Sequence, residues 1–290
     1  MAPHSFSGLR FRKYEALGND YVVIDPQDCS STPNPPFIRT ICDRRYGIGS
    51  DGLLYGPIVE PDGFRVVIFN PDGSEAEKSG NGIRIFARYL HDVGYVTGAD
   101  GTIVTVGGHV PFKYLDLGAQ RIQANMGTVT FWSQEIPVAG TAREVVDEVL
   151  KVGDRSLNIS CLSIGNPHCV VRLEGVTEAD VRQIGPLIEN HSMFPNRTNV
   201  QFLEVLAEDH VRIRIWERGA GYTLASGSSS CAAASAARRL GLVGHHVRVQ
   251  MPGGEIEIDF DEAGHVRMTG DVRSIIQGTV SADLALALRS

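Results

Sequence analysis

"EKSGNGIRIFARYL" (Glu77–Leu90) and "LASGSSSCAAASAARRL" (Leu224–Leu240) decide the fold, because the second echoes the first. Each sets a serine and a glycine just before an apolar stretch with helical periodicity. Ser79–Gly80 and Ser226–Gly227 lie 147 residues apart, and so do Gly18–Asn19 in "LGND" and Gly165–Asn166 in "IGNP". Between these anchors "VVIFNPDGSEAEKSG" (66–80) falls on "IRIWERGAGYTLASG" (213–227) without a gap, with Phe69 on Trp216. One offset serving well-separated anchors is the mark of a duplicated unit. The expected fold is α+β: two pseudo-symmetric lobes, each a β-sheet wrapped around a central helix, with an active-site cleft between them. Residues 1–130 form the first lobe and 131–275 the second, with 276–290 crossing back to the first.

Within each lobe the reading is parallel. "RFRKYEALGNDYVVID" alternates as a strand, breaks at Gly18–Asn19 and resumes. "FRVVIFN" and "HVRIRIW" carry the β-branched and aromatic residues of half-buried strands. Counted from serine to last small apolar residue, the second helix is expected to exceed the first by about one turn. Strand hairpins follow each helix.

Composition narrows the function. The 290 residues are 42% hydrophobic and 21% charged, ordinary values for a globular protein, and the net charge is −7. That acidity, with only short basic runs, argues against nucleic acid and anionic membrane as partners. No apolar run approaches a membrane span, and the N-terminus lacks the apolar core of a secretory signal. Five cysteines, odd in number and without a CxxC pair, fit a reducing cytoplasm. No HExxH, paired CxxC or acidic calcium loop is present, so no metal is expected.

A helix's first turn leaves backbone N–H groups unpaired and carries partial positive charge, and neighbouring glycines let an anion approach closely. Two such tips facing one cleft would hold a small carboxylate from two sides and present one side chain to each face of it. That arrangement suits inversion at carbon: one group removes a proton and the other delivers one from the opposite face. The simpler reading of either serine alone is a helix N-cap. Duplication at one offset favours function.

These residues resemble the diaminopimelate epimerase family over most of the chain: "ALGNDYVVID", "CDRRYGIGSDGLL", "FNPDGSEAEKSGNGIRIFARYL", "GNPHCVV", "FPNRTNVQF" and "WERGAGYTLASGSSSCAAA" occur in the family's order. The resemblance implies pyridoxal-phosphate-independent epimerisation of LL- to meso-diaminopimelate, without nucleotide or metal, by a homodimer. It implies substrate contacts at Asn19, Asn70, Gly80, Asn81, Asn166, Asn199, Glu217, Arg218, Gly227 and Ser228. Asn70, Asn166, Asn199 and Arg218 correspond to the residues that hold the distal, non-reacting amino-acid end. An arginine pairs bidentately with carboxylate, and amides serve ammonium and carboxylate alike.

The departures fall at the chemistry. The family's two catalytic bases are cysteines, and both positions here are serine, Ser79 and Ser226. Lys78 replaces an uncharged residue, Tyr222 stands where Glu is frequent, and Gly52 stands where some members carry a substrate-contacting Gln. A thiol starts near pKa 8.5 and a hydroxyl nearer water's 15.7; even a gap of roughly five pKa units is about 7 kcal/mol. A helix terminus returns up to about 2 kcal/mol. Three readings fit: engineered Cys-to-Ser replacements; a divergent isomerase of diaminopimelate or another amino acid, with Lys78, His168 or Tyr222 assisting; or an amino-acid-binding pseudoenzyme. Cys231, past the second tip, reads as a buried small hydrophobe.

Overall fold

The structure is a computed structural model, and it describes residues 6–29 and 32–288. The chain divides into two compact units, 1–124 with 270–290 and 125–269. The first boundary falls slightly earlier than the sequence suggests.

The first unit runs β1 (Arg10–Ala16), β2 (Asn19–Ile24), α1 (Pro35–Cys42), β3 (Leu53–Glu60), β4 (Gly63–Phe69), β5 (Glu75–Ala76), α2 (Gly80–Asp92), β6 (Asp100–Thr105), β7 (Gly108–Tyr114) and the start of β8 (Arg121–Thr128). The second runs β9 (Glu148–Val152), β10 (Arg155–Ser163), β11 (Pro167–Arg172), α3 (Glu178–Glu189), β12 (Asn199–Ala207), β13 (His210–Glu217), β14 (Gly221–Thr223), α4 (Gly227–Arg239), β15 (His246–Met251), β16 (Gly254–Phe260) and most of β17 (His265–Asp271). The chain then adds β18 (Arg273–Thr279), antiparallel to β1, and α5 (Ala282–Ala287) to the first unit.

Pairing repeats as well as order. In the first unit β2–β3 and β4–β6 are parallel, and β1–β2, β3–β4 and β6–β7 are antiparallel. In the second, β11–β12 and β13–β15 are parallel, and β10–β11, β12–β13 and β15–β16 are antiparallel. In each unit the strands pack on the central helix. α2 packs on β1, β2, β3 and β7, and α4 on β10, β11, β12, β13, β15 and β16. Ile83, Ile85, Phe86, Ala87, Tyr89 and Leu90 bury most of the circumference of α2; α4 does the same with the small residues Cys231 to Ala237. No described helix is long and apolar enough to cross a membrane.

Two expectations are corrected. Both central helices have 13 residues, and their two ends are each 147 residues apart, so α4 is not a turn longer. The first helix continues past Ala87 because Tyr89 and Leu90 extend its buried face. The break between β1 and β2 is Leu17–Gly18, both in the left-handed region, and Asn19 already pairs with Ala16. Positive φ at both central residues is the two-residue hairpin turn that suits strand twist. Strand alternation from Asn19 therefore puts Asn19 and Tyr21 on one face of β2.

A buried polar network fixes the tip of α4. Gln201 on β12 donates one Nε2 bond to Ser229 Oγ (3.0 Å) and another to His168 Nδ1 (3.0 Å). The other ring nitrogen of His168 is then the donor, to Asn166 Oδ1 at 2.9 Å. His168 is fully buried, and burial, aided by the charge of Arg218, pushes its pKa down to about 3. The unfolded chain therefore binds a proton between roughly pH 6.5 and pH 3 that the folded chain refuses. This contribution to stability is complete above pH 6.5 and is lost as pH falls towards 3. Both tryptophans, Trp132 and Trp216, lie in the second unit, so their fluorescence reports its unfolding. Urea titrations from pH 7 to pH 4.5 should show a fall in stability that His168→Gln flattens, by up to about 1.4 kcal/mol per pH unit. Equal slopes for the two proteins would contradict the buried neutral imidazole.

Candidate active site

In the first unit, Ser79 is the N-cap of α2, with extended backbone (φ −132°, ψ 119°). Its Oγ accepts from Gly82 N–H at 3.1 Å and from the Tyr21 hydroxyl at 3.2 Å. Gly80 and Asn81 form the first turn, both buried. Asn81 Nδ2 donates to Asn19 Oδ1 (3.2 Å), while its Oδ1 accepts from the fully buried Arg84 (2.9 Å). Asn19 in turn donates to Asp51 Oδ2 at 3.0 Å. Behind them Asp20 takes both Lys13 and Arg44, which hold its carboxyl down at about 2 against the opposing effect of burial. The structure thus joins Asn19, Gly80 and Asn81 to Ser79. Asn70 belongs to the exposed turn after β4, where it donates to Ser74 Oγ at 2.9 Å. Lys78 is half-buried beside Gly107, whose N–H bonds the Glu77 carbonyl at 2.9 Å.

In the second unit, Ser226 is the N-cap of α4 in the same extended conformation (φ −151°, ψ 124°), but its side chain makes no capping bond. Its hydroxyl instead donates to Glu217 Oε2 at 3.4 Å. Burial raises the Glu217 carboxyl above the usual glutamate range, with the Thr223 and Ser226 hydroxyls opposing. Gly227 and Ser228 form the first turn of the helix. Asn199 is buried between two backbones: its Nδ2 donates to the Pro167 carbonyl (2.9 Å) and its Oδ1 accepts the Arg218 N–H (3.0 Å). Asn166, beside Pro167, is held by His168. Asn166, Asn199 and Arg218 are therefore drawn together, and Glu217 is drawn to Ser226.

Of the residues considered as assistants to the serines, His168 has both ring nitrogens committed within its own unit, to Asn166 and Gln201. The Tyr222 ring packs against the core and under the Arg182 guanidinium, 4.8 Å away. The residue that sequence reasoning missed is Tyr21, which reaches Ser79 directly. Its signal was strand alternation with Asn19. Gln201 was missed in the same way and alternates with Asn199.

The two tips are thus chemically unlike. The Ser79 oxygen receives two donors, from Gly82 and Tyr21. The Ser226 hydroxyl points its proton at a carboxylate and leaves its lone pairs open. As observed, the Ser79 hydroxyl accepts from its partners and the Ser226 hydroxyl donates to its own.

The model of the family "Diaminopimelate epimerase" matches residues 11–132 and 160–275. "Diaminopimelate epimerase 2" of Nostoc sp. is 49% identical over 277 residues, covering 95% of this chain and 97% of that one. "Diaminopimelate epimerase" of Moorella thermoacetica is 39% identical over 280 residues, covering 95% of this chain and all (100%) of its own. Among solved structures, a probable proline racemase from Agrobacterium radiobacter superposes with TM-score 0.70 at 15% identity, over 94% of this chain and 92% of that one. A hydroxyproline epimerase from Agrobacterium vitis gives 0.69 at 14%, over 96% and 94%. The structures share the fold, two similar α+β halves; the sequences go further. Likeness of that degree over nearly the whole length leaves one assignment: the chain belongs to the diaminopimelate epimerase family.

Proposed function

We propose that this chain is an amino-acid epimerase, needing neither pyridoxal phosphate nor metal, that inverts one Cα of LL-diaminopimelate to give the meso isomer. The observation that carries the reading is the Ser226–Glu217 pair. Ser226 Oγ accepts the Cα proton as its own proton passes to the Glu217 carboxylate. The C–H and original O–H bonds break, a new Oγ–H and a carboxylic acid form, and serine is left neutral. The proton thus rests on a carboxylate and not on an alkoxide, so the gap between hydroxyl and thiol no longer sets the barrier. Burial brings the Glu217 carboxyl closer to working pH, as a general base requires. The unpaired N–H groups of the first turns, at Gly80–Asn81 and Gly227–Ser228, stabilise charge developing on the substrate α-carboxylate. Asn166, Asn199 and Arg218 hold the distal amino-acid end. Deprotonated Glu217 is the active form, so activity falls as pH drops through a value above the ordinary glutamate range.

A second reading has one observation behind it: the Gly82–Ser79 cap bond gives Ser79 a structural role that a pseudoenzyme would also need. Turnover separates the two. Following LL- to meso-diaminopimelate conversion, the purified protein should epimerise, and Glu217→Gln should cut the rate by about 10²–10⁴. Binding heat in calorimetry without epimerisation would leave only the binding role.

The five buried cysteines support a reducing compartment, the cytoplasm. A homodimer is supported by β18, an outer strand that exposes Ile275 and Ile276, each about half accessible. Light scattering should give twice the chain mass, and Ile275→Lys with Ile276→Lys should give a monomer. An unchanged mass for the variant would move the interface elsewhere.

A further inference from the structure

The epimerase reading accounts for the Ser226 tip through Glu217. At the Ser79 tip the position matched to Glu217 by the 147-residue offset is Asn70, which bonds Ser74 in an exposed turn. An amide cannot take up a proton as a carboxylate does. If both serines need a partner to carry charge, the first unit must supply a different one.

Tyr21 is that group. Its hydroxyl lies 3.2 Å from Ser79 Oγ, and only 7% of the residue is exposed. The ring fits because residue 52 is glycine. A Cβ built at Gly52 would stand 2.5 Å from Tyr21 Cε1 and 2.6 Å from the Phe69 carbonyl oxygen, closer than real Cβ contacts come. The offset maps Gly52 onto Asn199 and Tyr21 onto His168. In the second unit the side chain is present at 199, and residue 168 bonds Asn166 and Gln201. The two positions differ together between the units: an empty notch with a phenol in one, an amide with an imidazole in the other.

We propose that Tyr21, seated in the notch left by Gly52, is a positioning residue that holds the Ser79 hydroxyl as a proton donor and replaces the proton that Ser79 gives up. In the delivering step a C–H bond forms between the Ser79 proton and the Cα carbanion, while the Tyr21 O–H bond breaks and its proton moves to Ser79 Oγ. Charge ends on the phenolate and is discharged by a proton from water. A phenol titrates ordinarily near 10, a hydroxyl like that of serine nearer water's 15.7, and a thiol near 8.5. Tyr21 therefore sets beside Ser79 a group intrinsically more acidic than the serine hydroxyl. The two tips are specialised, Ser226–Glu217 to remove a proton and Ser79–Tyr21 to supply one. This polarity rests on the epimerase reading; the Tyr21–Ser79 coupling does not.

The test measures both. Ser79→Cys makes the tip a titratable reporter, read by thiolate absorbance or alkylation rate against pH. A tyrosine that donates to the reporter stabilises its thiolate, so adding Tyr21→Phe should raise the thiol pKa by about 1, a tenfold loss of thiolate near neutral pH. In the serine protein, Tyr21→Phe should lower epimerisation tenfold or more with little change in KM, because the phenol acts through Ser79. Equal thiol pKa values with and without Tyr21 would overturn the coupling. A shifted thiol pKa with full turnover in Tyr21→Phe would overturn the proton-supplying role. A shifted pKa in a protein that never epimerises would uphold the coupling and sink the epimerase reading.

Discussion

The structure depends on burying two helices almost all round. A helix buried on most of its sides offers its surroundings chiefly its ends, and the N-terminal end carries N–H groups that its own backbone cannot satisfy. Burying Ile83 to Leu90 in one unit and Cys231 to Ala237 in the other therefore does more than build a core. It fixes where each first turn lies and which way its N–H groups point. The side chain at the cap position, serine in both units, is placed by the same constraint.

Duplication supplied the two tips, and divergence made them different. At Ser79 the hydroxyl accepts from Gly82 N–H, as a helix cap does, and from Tyr21. At Ser226 no capping bond forms and the hydroxyl turns to Glu217. A neutral hydroxyl is a weak acid and a weaker base, but it transmits a proton readily between a better acid or base and carbon. In the proposed mechanism the partners behind the serines supply what thiols provide in the family. The polar networks around them, Arg84–Asn81–Asn19–Asp51 in one unit and Gln201–His168–Asn166 in the other, hold the amides of Asn19, Asn81 and Asn166 in one orientation.

The repeat was legible because strand alternation and helix entry are local properties, and one offset preserved both. The pairing of Asn166, Asn199 and Arg218 was reachable through family likeness. Less local features were not. The length of α2 depended on whether Tyr89 and Leu90 found a core to face, which is decided by the sheet around them. The turn at Leu17–Gly18 required a left-handed leucine, which residue preferences disfavour. Tyr21 read as an ordinary strand aromatic, since nothing near it in sequence reveals that Gly52, thirty-one positions on, makes room for its ring. The contrast between a capping and a non-capping serine depends on a proton's direction, and the two motifs look alike in that respect.

The central claim is that one group takes a proton from the substrate while a different group supplies another. It is tested most directly by a single turnover of LL-diaminopimelate in D2O with enzyme in excess, quenched early and read by mass spectrometry and NMR at Cα. The account predicts that the first meso product carries deuterium at the inverted carbon while recovered LL isomer keeps its proton. Meso product that retains the substrate's own Cα proton would mean a single group serves both faces, and would contradict it.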